Sequence, residues 1–326
     1  MRRVAGAAAV LALVLCQSVT PVRGTENEIV PEGSLLIALA YGVDSHERAI
    51  SRRNRESPLL DYLVPDDSVR EQIDGDIQRT TERLALRLHY GLSDSWNLTL
   101  EVPYLRITQE SSLSPRSAAA TAEVERLSSR TISGLGELRA TSLHRPQYDD
   151  QHGFVWGYGL LIPGEDPQSP YAGRGTLFLD SPFTRLLALV HYTYYPLLGR
   201  ARFDLQAELR IPLEEKLATA DGASVGVKPG NRLGVAVGWE QELGPVATGV
   251  TLGHHGQSQS EVGGAKQGDK VQETWLRLKL GVGNLQALES GPLAFPFILY
   301  VQYETTVQGY NTPIRSDARL VLQTYF

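Results

Sequence analysis

Strict alternation of apolar and polar residues, over segments of about ten residues, is the feature that most constrains this chain. In ERLALRLHY (82–90), the leucines and Tyr90 fall on one face, while Arg83 and Arg87 fall on the other. WNLTLEVPY (96–104) and RARFDLQAELRIP (200–212) repeat the pattern. A period of two residues is that of a β-strand whose two sides meet different environments. The chain is therefore predicted to build a sheet with one apolar and one polar face.

Runs of this kind predict about twelve strands of roughly ten residues, the length that a strand needs to cross a membrane in a barrel. Beyond the first residues, no stretch approaches the ~18 consecutive apolar residues expected of a transmembrane helix. The strands are expected at 34–44, 79–90, 96–108, 134–145, 153–163, 183–195, 199–212, 230–241, 246–255, 271–282, 294–304 and 316–326.

The connections between these strands alternate in length. Short links are GLSDS (91–95), PLLG (196–199) and QELGP (241–245). Long polar links are expected at 45–78, 109–133, 164–182, 213–229, 256–270 and 305–315. Outer-membrane barrels have short periplasmic turns and longer outer loops, whereas a soluble sandwich has no reason to sort its loops in this way. The sequence therefore predicts an all-β fold, a transmembrane antiparallel up-and-down β-barrel of about twelve strands with both termini on the short-turn side.

The first residues have the layout of a signal peptide. Arg2 and Arg3 precede an apolar run over 4–15, which is too short to span a membrane. Cleavage is expected near Gly24, with Ser18 as an alternative position. The chain is accordingly expected to be exported to the outer membrane.

Cleavage near Gly24 divides the chain into a signal peptide over 1–24 and a barrel over 25–326. It also removes Cys16, the single cysteine, so the mature protein would have no disulfide. A second interpretation of LVLC (13–16) is a lipoprotein cleavage box with Cys16 as the lipid acceptor, although Leu15 is unusual before that cysteine.

The segment ARLVLQTYF (318–326) reads as a strand that continues to Phe326. Pairing of this strand with the first one would close the barrel and leave no open edge. The segment also resembles the terminal signal of outer-membrane proteins, apart from Thr324, where an aromatic residue is usual. The expected partners are therefore the outer-membrane lipids and, through Phe326, the barrel assembly machinery.

Aromatic residues at strand ends predict girdles at the two membrane–water interfaces. They are Trp96, Tyr104, Trp156, Tyr194, Tyr195, Trp239, Trp275, Tyr303 and Phe326.

Three segments resemble one family of Gram-negative barrels. LHYGLSDSWNLTLEVPY (88–104) is similar to its hairpin with a Gly-Leu-Thr/Ser-Asp turn and a Pro-aromatic end. SGLGELRA (133–140) and WGYGLLIPGED (156–166) resemble its Gly-Leu-Gly-Asp strand start and its Leu-Pro-Thr-Gly strand end, with Glu137 in place of Asp and no Thr in the second motif. This is the transporter-like family named for the phenol-degradation meta pathway, distantly akin to the long-chain fatty-acid channels. The resemblance implies a barrel and uptake of hydrophobic compounds, and it supplies no functional residues.

Charged residues on the polar faces are the candidate binding residues. A Lys or Arg that faced lipid at mid-depth would cost about 2–4 kcal/mol, so these residues are predicted to face the lumen. Both signs of charge occur, which leaves two interpretations open, a paired structural filling or a polar path. The candidates are Arg83, Arg87, Glu101, Glu137, Arg139, Arg202, Asp204, Glu208, Arg210, Arg277, Lys279 and Arg319.

An enzymatic alternative rests on GHHGQSQSE (253–261), where His254 and His255 precede Ser258 and Ser260. Outer-membrane phospholipases need a Ser hydroxyl within reach of a His. Their pattern has Ser two residues after His, followed by Asn-Gly, and this segment has neither feature. A polar loop is the alternative interpretation, and the chain is predicted not to be an enzyme.

Other classes of function find no support in the sequence. No Cys or His spacing suggests zinc, and no phosphate loop or dinucleotide fingerprint occurs, so no cofactor is expected. An acidic chain with a formal net charge of -6 and scattered arginines is not expected to bind nucleic acid. The favoured function is a passive channel or transporter for small solutes, with hydrophobic or aromatic compounds as candidates. The alternatives are an outer-membrane lipid hydrolase and a structural barrel without transport.

Overall fold

The computed structural model describes most of the chain after its first residues. The predicted signal peptide and its cleavage positions lie outside the described residues. The described ranges are 30–50, 55–64, 66–148, 151–164, 183–196, 201–218, 224–243, 246–268, 270–284 and 297–326.

Twelve antiparallel strands form the wall of a closed barrel, and each covers one of the predicted alternating segments. They are β1 (Leu35–His46), β2 (Ile77–Gly91), β3 (Trp96–Ser111), β4 (Leu138–Tyr148), β5 (His152–Ile162), β6 (Arg185–Tyr194), β7 (Ala201–Pro212), β8 (Arg232–Leu243), β9 (Val246–Gln257), β10 (Val271–Asn284), β11 (Phe297–Tyr310) and β12 (Ser316–Tyr325). The predicted fold class and strand number are confirmed.

The first and last strands close the sheet. Each strand pairs with its neighbours in sequence, and β1 pairs with both β2 and β12, with Leu39 opposite Leu86 on one side and Leu322 on the other. At the seam, the Leu35 N–H donates to the Phe326 carbonyl at 2.9 Å and the Phe326 N–H donates back at 2.8 Å. A sheet closed in this way has no unpaired edge.

A thirteenth strand, Arg130–Leu135, runs along the upper part of β3 and leads into β4. Tyr104 of β3 lies opposite Leu135, whereas Glu101 lies opposite Arg139. Between these two pairs β3 advances by three residues and its partner by four, so the partner contains one extra residue. This is the signature of a β-bulge. It joins Arg130–Leu135 and β4 into one irregular strand.

Apolar side chains point outward and polar ones point inward, the reverse of a soluble protein. Leu98 and Leu100 of β3 are 48% and 41% exposed, whereas Glu101, on the other face of the same strand, is only 8% exposed. The same reversal holds in β8, where Val237 is exposed and Glu240 is buried. A soluble β-sandwich would bury these leucines, so the structure has the pattern of a membrane-type barrel.

The reversal ends at Tyr104, which marks the edge of the outer apolar band. Beyond it on β3, Arg106 faces outward, while Leu105 and Ile107 face inward and are buried. The outward Arg106 lies 3.7 Å from Glu82 on β2, with both side chains well exposed. This end of the β2–β3 hairpin therefore has the pattern of a strand pair in water.

Loops of different length emerge from the two ends of the barrel. The end at which β1 begins and β12 ends has the link 92–95 between β2 and β3, and is called the short-turn end. The opposite, long-loop end carries the links 47–76 and 213–231 among others. The predicted long link at 305–315 is wrong, because β11 continues to Tyr310 and only five residues precede β12. A bulge opposite Thr274 and Trp275 lets β11 extend alongside β10.

Small elements fold within the long loops. The helices are α1 (Leu59–Leu63), α2 (Asp67–Arg70) and α3 (Ala118–Arg126). The short strands are Arg48–Ile50, Glu56–Pro58, Ile73–Asp74, Ser114–Pro115, Glu215–Ala218, Ser224–Lys228, Ser260–Val262, Ala265–Gln267 and Thr312–Pro313. None of the helices in the described ranges is long and apolar enough to cross a membrane.

A cap, formed by α1, α3 and the residues packed with them, lies over the long-loop end of β2 and β3. Leu60 and Ala120 are fully buried in it, together with Ile77 from the inner face of β2. The Gln109 side chain of β3 donates to the Leu127 carbonyl at 2.9 Å. The Ser117 hydroxyl accepts from the Ala120 N–H at 3.3 Å and so caps α3.

A second apolar cluster lies inside the barrel at the short-turn end. Val30 packs there with Leu36, Ile298 and Tyr300. The chain reaches this position because Gly91 lets it approach, since a Cβ atom at 91 would lie 2.0 Å from the Pro31 carbonyl oxygen. Between this cluster and the cap lies the zone of the lumen that holds the charged residues, bordered along β4–β6 by a third apolar cluster of Leu143, Val155, Leu161, Leu187 and Leu189.

The aromatic girdle is present, with one correction. Trp96, His144 and Trp156 contact each other on the outer face near the short-turn end. Trp275 does not join the outer surface. It lies opposite Gly253 on the inner face, where a Cβ atom at 253 would collide with its ring. The prediction used only the nearness of Trp275 to a strand end. The face on which a residue lies depends instead on its place in the alternation of its own strand.

Cysteine labelling at Leu205 and Glu208 tests which face meets the lipid. Leu205 is 52% exposed on the outside of β7, and Glu208 lies inside between two arginines. With Cys16 replaced by Ser, Leu205→Cys in liposomes is expected to react with a lipid-soluble maleimide and to resist a charged one. Glu208→Cys is expected to react with a small charged maleimide, as read by mass shift. Reaction of position 208 with a bulky protein-sized reagent would contradict a closed barrel.

Loss of the seam should prevent closure. Deleting Tyr325 and Phe326 removes the two backbone hydrogen bonds to Leu35, so little refolded protein should show heat-modifiable gel migration. Phe326→Ala is the matched control because it keeps the backbone pairing. Equal refolding in detergent of the deletion and the wild type would show that the seam is dispensable.

Candidate functional site in the barrel lumen

The charged groups of the lumen come from the inward positions of neighbouring strands. Arg83 and Arg87 lie four residues apart on the same face of β2, and Glu101 lies opposite Arg87 on β3. The Glu101 carboxylate accepts from Arg83 at 2.8 Å and from Arg87 at 2.5 Å. One carboxylate thus holds two guanidinium groups, one on each of its oxygens, through charge-assisted hydrogen bonds.

Three further carboxylates repeat this sharing. Glu208 contacts Arg139 at 3.2 Å and Arg210 at 2.5 Å. Glu240 contacts Arg202 at 3.0 Å and Lys279 at 2.9 Å.

Glu304 is the third of these. It contacts Arg277 at 2.7 Å and also Arg315, which comes from the short link before β12. Each of the four carboxylates is therefore shared by two cations. Arg202 also binds Asp204 and Arg315 also contacts Glu273, so a further acid balances two of these groups.

The remaining candidates are also paired inside the barrel. Asp204 accepts from Arg202 at 2.9 Å and from the Thr193 hydroxyl at 3.1 Å, and its oxygen lies 2.9 Å from His191. Glu137 pairs with Arg185, and Arg319 pairs with Asp317. All twelve predicted residues face the lumen and take part in ion pairs, so the structure contains the paired filling that the sequence left as one of two interpretations.

Two cavities remain between these groups. The first has a volume of about 50 Å³ and lies against β7–β11, while the second has about 40 Å³ and lies against β1–β3, β11 and β12. They meet at Tyr300 and Gln302 on β11, which line both. Charged residues of the first are Arg202, Asp204, Glu240, Arg277 and Lys279, and those of the second are Arg83, Arg87, Glu101 and Arg319.

Several partners were missed in the sequence. Glu240 and Glu304 lie at inward positions of β8 and β11, and the same period-two reading of those strands would have found them. Arg315 had no such signal, since it lies in a link rather than in a strand. Its place beside Glu304 is decided by the path of the chain between β11 and β12.

The histidines of 253–261 do not form a hydrolytic site. His254 and His255 are adjacent on β9 and so point to opposite faces. The outward His254 lies 3.0 Å from the Thr274 hydroxyl, and the inward His255 lies 3.1 Å from Glu273. Within the described residues, neither ring forms a hydrogen bond with Ser258 or Ser260. The arrangement lacks the contact by which a His takes a proton from a Ser nucleophile.

His89 and His191 also occupy lumen positions, where both are buried. The His191 ring contacts Asp204, and the His89 Nε2 atom lies 3.0 Å from the side-chain amide of Asn97. In the described part of the chain, no group of three or more His, Cys, Asp or Glu residues could hold a metal ion.

Solved structures with the same architecture are outer-membrane proteins. The COG4313 outer membrane channel from Pseudomonas putida F1 aligns with 94% of this chain and 100% of its own, at 17% identity and a TM-score of 0.63. A TodX mutant, described as a monoaromatic hydrocarbon channel, aligns with 91% of each chain at 9% identity and a TM-score of 0.41. A FadL homologue from Pseudomonas aeruginosa covers 90% of this chain and 89% of its own, at 8% identity and a TM-score of 0.39.

One of these comparisons shows the fold. At 17% identity, the first likeness shows that the chain has the fold of an outer membrane channel, and the scores of the other two are too low to support an argument. No model of a known protein family matches the chain, and no curated protein is a significant match. The resemblance to the meta-pathway family therefore stays a prediction.

The shared carboxylate of Glu101 should stabilise the barrel more than an exposed ion pair does. Glu101→Gln leaves two lumen arginines without their counter-charge and should lower the free energy of unfolding by about 2–3 kcal/mol, less than for a fully buried pair because Arg83 is one-third exposed. Glu82→Gln, which breaks the exposed pair with Arg106, should cost about 0–1 kcal/mol. Denaturant unfolding followed by tryptophan fluorescence measures both, and equal losses would show that lumen charges are fully screened.

Proposed function

We propose that this protein is a passive channel of the Gram-negative outer membrane that admits small solutes. The observation that carries the proposal is the reversed barrel, with an apolar outside and a charged inside that keeps two cavities between its ion pairs. A barrel that served only as a scaffold could fill its interior with apolar side chains at less cost in desolvation.

The outer surface supports a place in a bilayer. From Trp96 to Tyr104, β3 extends roughly 27 Å at ~3.3 Å per residue, which a tilt of about 40° reduces to roughly 20 Å of membrane depth. Outward residues between these aromatic ends are apolar. In this orientation the short-turn end lies in the periplasm, and lipid acyl chains cover the apolar band.

The C-terminus supports the proposed partner in assembly. The backbone of Phe326 is engaged in the seam, while its side chain is 69% exposed. We propose that this exposed ring is available to the barrel assembly machinery before the first and last strands pair.

Buried polar atoms in the lumen support a wet interior. The Thr99 and Thr141 hydroxyls and the Gln323 amide oxygen are buried and find no hydrogen-bond partner within the described residues. An unsatisfied buried polar atom costs about 1–3 kcal/mol, and water in a polar cavity removes that cost. Water-filled space beside fixed charges is what a small solute needs to move through the barrel.

The cap restricts where a solute enters from outside. It occupies the inner side of β2 and β3 at the long-loop end through Ile77 and the contact between Gln109 and Leu127. The proposed entrance therefore lies nearer β7–β11, above the first cavity. Hydrophobic and aromatic compounds remain the candidate solutes implied by the family resemblance.

A bulky side chain inside the first cavity tests the path. Thr251→Trp places an indole against the lumen between Gly238 and Lys279 and should slow liposome swelling in arabinose and other small solutes severalfold. Leu252→Trp is the matched control on the lipid side of the same strand, where the native leucine is 53% exposed, and should swell as wild type does.

Two results would contradict the proposal. Wild-type protein that is correctly folded yet leaves liposomes impermeable would overturn the channel. Equal swelling of both tryptophan variants would show that solutes do not pass through the first cavity.

A further inference from the structure

The two cavities are lined by twice as many cations as carboxylates. The cations are Arg83, Arg87, Arg202, Arg277, Lys279 and Arg319, and the carboxylates are Glu101, Asp204 and Glu240. This excess is opposite in sign to the whole chain, whose formal net charge is -6. Glu304 and Asp317, which bind Arg277 and Arg319 beside these cavities, bring the count to six cations against five carboxylates. The excess is small, and it concentrates anions to the extent that the cations face the free space.

Several of the cations are more exposed to the free space than the acids that bind them, whereas Arg202 is as buried as Glu240, at 9% each. In the second cavity, the side chains of Arg83 and Arg319 are 34% and 29% exposed, whereas Glu101 is 11% exposed. In the first cavity, Arg277 is 23% exposed and Glu240 is 9% exposed. Long arginine side chains extend past the shorter carboxylates that anchor them, so a solute in the lumen meets guanidinium groups first.

The wall beside these guanidinium groups in the second cavity is small and apolar. It is formed by Ala38, Ala40, Ala85 and Val321, and it ends at the ring of Tyr300. The Lys279 ammonium lies 4.7 Å from the centre of that ring, on the side of the first cavity. An apolar body can lie against this wall while a planar anionic group meets the arginines.

We infer that the lumen selects small monocarboxylates with a compact apolar or aromatic body. The inference rests on the proposed channel function and names its class of solute. Guanidinium groups bind carboxylates with two parallel hydrogen bonds, which a neutral hydrocarbon cannot form and a cation opposes. An inorganic anion would meet the same charge and gain nothing from the alanine wall.

Ion selectivity in planar lipid bilayers tests the inference with the full-length mature protein. In a potassium chloride gradient, the reversal potential should show preference for the anion. Potassium benzoate should then carry more current through its anion than benzylammonium chloride carries through its cation, by on the order of tenfold at low salt and less as salt screens the lumen.

Two variants link the preference to the lumen. The double variant Arg83→Gln and Arg319→Gln should remove most of it, and Gln302→Glu, which adds a carboxylate where the cavities meet without breaking an ion pair, should reduce it as well. Arg106→Gln is the matched control, because that side chain lies outside the barrel. Heat-modifiable migration confirms that each variant is folded.

The outcomes separate the inference from the channel itself. Folded protein without any conductance would overturn the channel function and the inference together. Conductance with no preference or with cation preference would leave the channel standing and overturn the inference. Anion preference that is equal for chloride and benzoate would overturn the role of the apolar wall, and preference that survives Gln302→Glu and the double variant would overturn the role of these residues.

Discussion

Closure of the backbone hydrogen-bond ladder is the constraint on which the rest of this structure depends. A strand in hydrocarbon cannot leave its N–H and C=O groups unpaired, because each would cost several kcal/mol with no water to replace the partner. The reciprocal hydrogen bonds between Leu35 and Phe326 complete the ring of twelve strands. Once the ring is closed, every inward position is shielded from lipid, so charged residues such as Glu101 can lie there without the free-energy cost of facing hydrocarbon.

The shielded interior is stabilised by sharing of charge together with separate apolar clusters. Four carboxylates each hold two cations, and further acids such as Asp204 and Asp317 bind the same set of cations, so most of the charge in the lumen is balanced in place. Apolar contacts lie in the cap, in the cluster around Val30 and on the inner face of β4–β6 around Leu189. The central zone thereby combines fixed charge with free space, and this combination supports both the proposed channel and its preference for organic anions.

Much of the barrel was predictable because its physics is local. A strand with lipid on one side and charge on the other must alternate, so segments such as ERLALRLHY predict which of their residues face inward. All twelve candidate residues face inward in the structure. The missed partners Glu240 and Glu304 obey the same rule. Trp275 was misplaced, since an aromatic residue near a strand end satisfies the girdle rule on either face, and only its position opposite Gly253 shows that it points inward.

The sequence by itself determined the count of about twelve strands, the up-and-down order and the side on which the twelve candidate charged residues lie, because these follow from a period of two and from the cost of charge in lipid. The tertiary structure alone decided which charges meet. Arg139 and Glu208 lie 69 positions apart and on strands that are not neighbours, so their contact depends on barrel curvature and lumen width. It also brought Arg315 to Glu304 and set the cap over β2 and β3, because loop paths depend on packing between distant segments rather than on any repeating pattern.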